Sequence, residues 1–212
     1  MKREHNTLNQ VPLPSGYTRL EYIEATGNQY INTGYYVGNK KTRIIGEFTK
    51  TYSISDRGVF FGCGSPNDNQ WFINPFFPGT GLMDIYMIGI GALQGLLAKL
   101  NTPYRFDMTV DIPNHLFEGE CFSDENNWIK CKYDPLGTIY NATLHLFSSV
   151  RGSNIQNLIY ARLYDAFSIY ENDMLVHNYI PALRDFDSKP GLYDVTAGEF
   201  KVNEGTGEFL YA

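Results

Sequence analysis

From Tyr17 to Tyr170 the chain is an almost unbroken succession of short strand signals. Apolar and aromatic side chains recur at alternate positions, and clusters of Gly, Pro, Asn, Asp and Ser close each run. A period-two strand buries one face only, so a chain made of such strands must pack sheet against sheet. Leu20-Glu21-Tyr22-Ile23-Glu24 alternates, Gly27 breaks it, and Gln29–Thr33 resumes. Further strands are expected at Thr42–Thr49, Val59–Cys63, Trp71–Phe77, Met83–Ile88, Thr143–Ser148 and Ile159–Tyr170. In Tyr104–Ile112 the residues Phe106, Met108, Val110 and Ile112 share a face. Leu116–Phe122 and Trp128–Tyr133 form an expected hairpin across Ser123–Asn127. Helical spacing occurs only at Gly91–Leu100, through Ala92, Leu93, Leu96, Leu97 and Leu100, although Gly95 costs a helix about 1 kcal/mol relative to Ala. We expect a short helix or a structured loop there.

Composition points the same way. Aromatics make up 15% of the 212 residues, with 20 Gly and 10 Pro for turns. Residues 1–14 stand apart as a polar leader ending in Val11-Pro12-Leu13-Pro14. We expect an extended N-terminal arm, mobile alone and ordered through Val11 and Leu13 against a neighbouring subunit or a particle. Residues 15–212 are expected to form one sandwich domain. At that size a two-sheet jelly roll fits better than an immunoglobulin-like sandwich.

A net charge of −6, with no basic run beyond Lys2-Arg3 and Lys40-Lys41, argues against nucleic acid as a partner. The most apolar window, Ile85–Leu100, holds three Gly, a Gln and a Lys, so no membrane-inserted helix is expected. No apolar stretch follows Met1-Lys2-Arg3-Glu4-His5-Asn6, so no signal peptide is expected and folding is placed in the cytoplasm. Cys63, Cys121 and Cys131 are an odd set without a Cys-x-x-Cys pair, which predicts three reduced thiols and no zinc. The four histidines, His5, His115, His145 and His177, are scattered, no Gly-x-Ser-x-Gly elbow occurs, and no cofactor or metal is expected.

Two segments carry a family resemblance. The first is Leu13-Pro14-Ser15-Gly16-Tyr17-Thr18-Arg19-Leu20-Glu21-Tyr22-Ile23-Glu24-Ala25-Thr26-Gly27-Asn28-Gln29-Tyr30-Ile31-Asn32-Thr33-Gly34. The second runs through Ala161-Arg162-Leu163-Tyr164, Phe167-Ser168-Ile169-Tyr170, Asn178-Tyr179-Ile180-Pro181-Ala182 and Gly191-Leu192-Tyr193-Asp194, and ends at Phe200–Gly207. Together they resemble concanavalin A-like, laminin-G-like jelly-roll domains of gut-bacterial surface proteins and of their phages. The resemblance implies an all-β sandwich whose first and last strands pair. It also implies a role in a phage virion, as a head or tail fibre or decoration protein with a lectin-like domain for host-surface glycans. The alternatives are a carbohydrate-binding module on the bacterial cell surface and a glycoside hydrolase. Without an export signal the virion is the favoured location.

Hydrolysis is the weakest of the three. Laminarinase-like members carry Glu-x-Asp-x-Glu, or a bulged form with one more residue, whose carboxylates share a strand face. Here Asp84 stands alone, with Leu82 at the first position and Tyr86 or Met87 at the last. Glu118 and Glu120 share a face, as a solvated strand or as an acidic pair, with Asp124 and Glu125 beyond them. Laminin-like relatives hold calcium, for which Asp68, Asp84 and Asp124 are the oxygen donors to consider. Sugars are read by aromatic faces beside amide and carboxylate groups. Asn67-Asp68-Asn69-Gln70-Trp71 and Asp124-Glu125-Asn126-Asn127-Trp128 have that composition. Asn67, Asp68, Asn69, Trp71, Asn127 and Trp128 are therefore the candidate ligand-binding residues, the alternative being that both tryptophans pack after polar turns.

Overall fold

The computed structural model describes residues 11–52, 58–64, 70–75, 82–87, 91–97, 99–123, 128–133, 143–151 and 154–212. Every regular element among them is a strand. In chain order these are Tyr17–Arg19 (β1), Tyr22–Thr26 (β2), Ile31–Tyr36 (β3), Lys41–Lys50 (β4), Phe61–Gly64 (β5), Gln70–Asn74 (β6) and Leu82–Met87 (β7). Gly91–Leu97 (β8), Pro103–Asp111 (β9), Leu116–Phe122 (β10), Trp128–Tyr133 (β11), Thr143–Leu146 (β12), Ser149–Arg151 (β13) and Asn154–Gln156 (β14) follow. Tyr160–Glu171 (β15), Met174–Arg184 (β16), Lys189–Asp194 (β17), Glu199–Val202 (β18) and Leu210–Tyr211 (β19) complete the set.

They form a two-sheet antiparallel sandwich, as the jelly-roll expectation requires. The larger sheet runs β11-β10-β9-β4-β15-β16-β17-β18, with β2 also on β15, β1 on β16 and β19 on β2. The smaller sheet runs β3-β12-β5-β6-β7-β8, and β13 and β14 make a separate hairpin. The two ends of the chain pair as expected, Leu210 opposite Glu24 and Tyr211 opposite Ile23. The sandwich is drawn together at its rims, where β18 lies against β3 and β11 against β8.

Alternation decides which side chains face inward. On β4 Thr42, Ile44, Gly46 and Phe48 are buried, while Arg43, Ile45 and Glu47 are partly exposed. On β9 Tyr104, Phe106, Met108 and Val110 are buried. The interior is aromatic: Phe48 and Phe106 from the larger sheet meet Phe61 and Trp71 from the smaller. Ring centroids lie 4.6 Å apart for Phe48–Phe60, 5.4 Å for Phe61–Phe106 and 5.6 Å for Phe61–Trp71. Such pairs contribute roughly 0.5–1.5 kcal/mol each beyond the area they bury.

The expected helix or loop at Gly91–Leu100 is corrected: Gly91–Leu97 is strand β8, antiparallel to β7. Leu96 faces Met83 and Gln94 faces Asp84, so Gly95 is an extra residue in the ladder. A bulge shifts the period-two phase by one, and the shifted pattern mimics helical spacing. The expected pairing of β10 with β11 is present, with Phe122 opposite Trp128. The C-terminal strands β16–β18 fall where the family resemblance alone outlines them.

Residues 1–10 of the expected arm lie outside the described residues. Residues 11–14 have no regular structure, a turn follows at 15–16, and the Val11 carbonyl accepts a hydrogen bond from Arg19 Nη2 at 2.6 Å.

Candidate functional site

The larger sheet forks at β15. Tyr160–Tyr164 pair with β2, whereas Phe167–Glu171 pair with β16. Toward β4 the register slips at the same place: Tyr164 faces Glu47 and Ser168 faces Ile45. Asp165, Ala166 and Phe167 thus share the space opposite Gly46, a bulge that bends the strand outward. Asp165 sits at φ 51°, in the left-handed region that Asp tolerates better than most residues. The N-terminal strands split with the fork, β1 following β16 and β2 following β15. Leu20 and Glu21 bridge the split, the Leu20 N–H donating to Pro181 O at 3.0 Å and the Glu21 N–H to Ala212 O at 2.5 Å.

The fork leaves a depression of about 390 Å³ lined by Arg19, Leu20, Glu21, Glu47, Tyr164 and Asp165. Its walls are braced from behind. Arg105 Nε donates to Glu47 Oε2 at 2.5 Å. The Tyr164 ring lies 5.5 Å from that of Tyr22, over which the Arg162 guanidinium stacks at 4.5 Å. Arg162 in turn donates to Glu24 Oε2 at 2.7 Å and to the Tyr164 hydroxyl at 3.4 Å. The depression therefore combines a fixed ring, carboxylate acceptors and one guanidinium donor. Those are the groups that hydrogen-bond hydroxyls and cover an apolar ring face.

Along β1 the same face continues. Tyr17, two residues before Arg19, packs its ring 4.6 Å from Tyr193 and 5.3 Å from Phe200. Arg184, opposite Tyr17 in register, stacks over Phe200 at 5.1 Å and over Phe186 at 4.7 Å.

Of the sequence-predicted site residues, Trp71 and Trp128 are among the described residues. Trp71 is fully buried, its ring edge-on to Phe61, and so belongs to the core and offers no face to a ligand. A strand-interior position opposite Cys63 explains why. Asn67, Asp68, Asn69 and Asn127 lie outside the described residues, as do Asp124, Glu125 and Asn126. Trp128 opens β11 opposite Phe122. Asp84 lies on β7 facing Asn74 and Gln94. Glu118 and Glu120 are opposite Lys132 and Lys130 in the register of β10 and β11. Cys63 and Cys121 are buried thiols; burial pushes Cys63 up to about 12 and Cys121 higher still. Among the described residues no group of three His, Cys, Asp or Glu could hold a metal ion.

The pair of the partly exposed His177 and the buried Asp194 has a structural task. Asp194 Oδ2 lies 2.6 Å from His177 Nδ1, and Oδ1 accepts the N–H groups of Asn178, Thr196 and Ala197. Burial alone would raise this carboxyl, but the hydrogen bonds from His177 and the backbone outweigh it and hold it below its ordinary value. The pair pins the β17–β18 turn to β16.

No protein-family model and no curated protein matches the chain. Solved structures do. The CBM40 of the Ruminococcus gnavus IT-sialidase, bound to alpha2,3 sialyllactose, is similar at TM-score 0.50 and 11% identity over 72% of this chain and 90% of that one. This likeness is one of fold, the jelly-roll sandwich. Looser likenesses link the chain to domains LG4-5 of the mouse laminin alpha1 chain and to Scytalido-glutamic peptidase with a peptide transition-state analog. The laminin match has TM-score 0.48 and 12% identity over 78% of this chain and 45% of that one. The peptidase match has TM-score 0.42 and 9% identity over 77% and 88%.

Proposed function

We propose that this protein is a non-catalytic carbohydrate-binding jelly-roll domain that holds a neutral glycan in the depression at the β15 fork. The observation that carries the reading is the braced Tyr164 ring beside Glu21, Glu47, Asp165 and Arg19. The jelly-roll likeness to a CBM40 supports it as the scaffold on which such a site occurs. The ligand differs from that module's sialyllactose for an electrostatic reason. Glu47 is paired with Arg105, so Glu21 and Asp165 stand against Arg19, which already gives one donor to Val11, and the net negative lining repels an anionic sugar. Carboxylates accept hydrogen bonds from neutral hydroxyls without such a cost.

A bacterial-surface location follows from this reading, since surface glycans are its ligands. A virion component with the same lectin-like site would use it identically. The depression is common to both readings, and residues 1–10 of the arm that would dock a virion component lie outside the described residues. Hydrolysis is no part of the proposal, because Leu82 and Tyr86 or Met87 replace the carboxylates that flank Asp84 in laminarinase-like sequences.

The test is a titration of the full chain with neutral oligosaccharides and with sialyllactose, repeated on Tyr164→Ala. Binding of a neutral sugar that weakens about tenfold or more in the variant supports the proposal. No neutral binding, or binding indifferent to Tyr164, refutes it.

A further inference from the structure

The Tyr17–Phe186 surface has the makings of a second sugar contact. β1 alternates, so Tyr17 and Arg19 project to the same side, roughly 7 Å apart along the strand. Arg19 lines the depression; Tyr17 belongs to the aromatic group with Tyr193 and Phe200. Phe186, on the β16–β17 turn, is 81% exposed, the largest exposure among the described large apolar side chains. It is nonetheless held in place. Asp185 N–H donates to Gly16 O at 2.9 Å, and Thr18 Oγ1 donates to Asp185 Oδ1 at 2.9 Å. Arg184 binds Asp187 through Nε at 3.0 Å and Nη2 at 2.7 Å, and its guanidinium lies against the Phe186 ring. An exposed aromatic fixed by several hydrogen bonds in its turn marks a contact surface more than a stray apolar residue.

We infer that this patch is a second subsite, and that the ligand is an extended neutral oligosaccharide running along β1 from the fork to the Phe186 turn. This rests on the proposed glycan binding in the depression. The chemistry of the patch agrees. Asp187 pairs with Arg184 through Nε and Nη2, so the guanidinium charge is already matched by a carboxylate. What remains for a ligand is ring surface, which suits the apolar face of an uncharged pyranose. Both contacts flank β1, so one extended ligand can reach them together and a second sugar unit adds affinity without a second association cost.

The experiment is calorimetric titration of the full chain, Phe186→Ala, Phe186→Tyr and Tyr164→Ala with neutral cello-, xylo- and lacto-series oligosaccharides of increasing length. The inference expects Phe186→Ala to weaken the longer oligosaccharides by about three- to tenfold and to leave the shortest bound sugar unchanged. Phe186→Tyr, which keeps the ring, retains the wild-type length dependence. Tyr164→Ala weakens all lengths. Should Tyr164→Ala abolish binding while Phe186→Ala leaves every length unaffected, the second subsite is refuted and the depression stands. Should the wild type bind none of the series, the proposed function fails and this inference with it.

Discussion

Acid should destabilise this protein through one buried imidazole before its carboxylates titrate. His145 on β12 is 3% exposed, stacked 5.7 Å from the Tyr30 ring, with Nε2 3.0 Å from Thr143 Oγ1. Its Nδ1 is buried without a hydrogen-bond partner, so a proton added there has nothing to receive it. Burial pushes its pKa down to about 4, from 6.5 in an exposed histidine. Between those values the unfolded chain binds a proton that the folded one refuses, so stability falls as the pH falls. At about 1.4 kcal/mol per pH unit the ceiling is roughly 3 kcal/mol, of which about 2 kcal/mol is lost between pH 7 and pH 5. The carboxyl of Asp194 acts in a lower window: held below its ordinary value, it takes stability away only once the pH drops past about 4. Urea unfolding at pH 7 and pH 5, on wild type and His145→Gln, isolates the effect. The variant should lose about 2 kcal/mol less than wild type over that interval, whatever its stability at pH 7. Equal losses in the two proteins would show that His145 is protonated in the fold, and the burial argument would fail.

Other outcomes follow from the packing. Phe106→Ala empties the space between Phe48, Phe60, Phe61 and Phe167, whose rings lie 5.4–6.1 Å from it, and should cost about 3–5 kcal/mol in chemical denaturation. A loss below about 1 kcal/mol would contradict the central place given to this ring. Gly191→Ala would bring a Cβ within 2.3 Å of the Lys201 carbonyl oxygen, a backbone atom that only separation of β17 from β18 can relieve. We expect at least about 2 kcal/mol of destabilisation and faster amide exchange at Glu199–Val202; unchanged exchange would refute this. Cys63 and Cys121, with pKa values pushed up by burial, should resist a thiol reagent near pH 8 until the chain unfolds, and rapid labelling of either in the folded protein would overturn that.

The sequence discloses those strands whose two faces differ. β9 shows its core face as Tyr104, Phe106, Met108 and Val110 because Arg105 and Asp107 meet water on the other side. β16 hides its character because Asn178, Tyr179, Ile180, Pro181 and Ala182 are all buried, and a strand buried on both faces loses its alternation. β8 misleads through the extra Gly95. A tryptophan after a polar turn suggests a sugar platform, yet Trp71 already stands inside β6, where the turn's exposure has ended. The fork leaves almost no trace in the sequence. Its lining comes from β1, the β1–β2 link, β4 and β15, and no short motif spans them. Its one local signal is Asp165, a charged residue at the in-phase position between the buried Leu163 and Phe167.

The account stands on glycan binding at the fork, and backbone-amide chemical-shift mapping tests it most directly. Titration of the labelled full chain with a neutral oligosaccharide should move the resonances of Arg19–Tyr22, Glu47 and Tyr164–Asp165, and, with longer ligands, those around Phe186. Shifts confined to Asn67–Trp71 and Asn127–Trp128, with the fork residues unmoved, would contradict it.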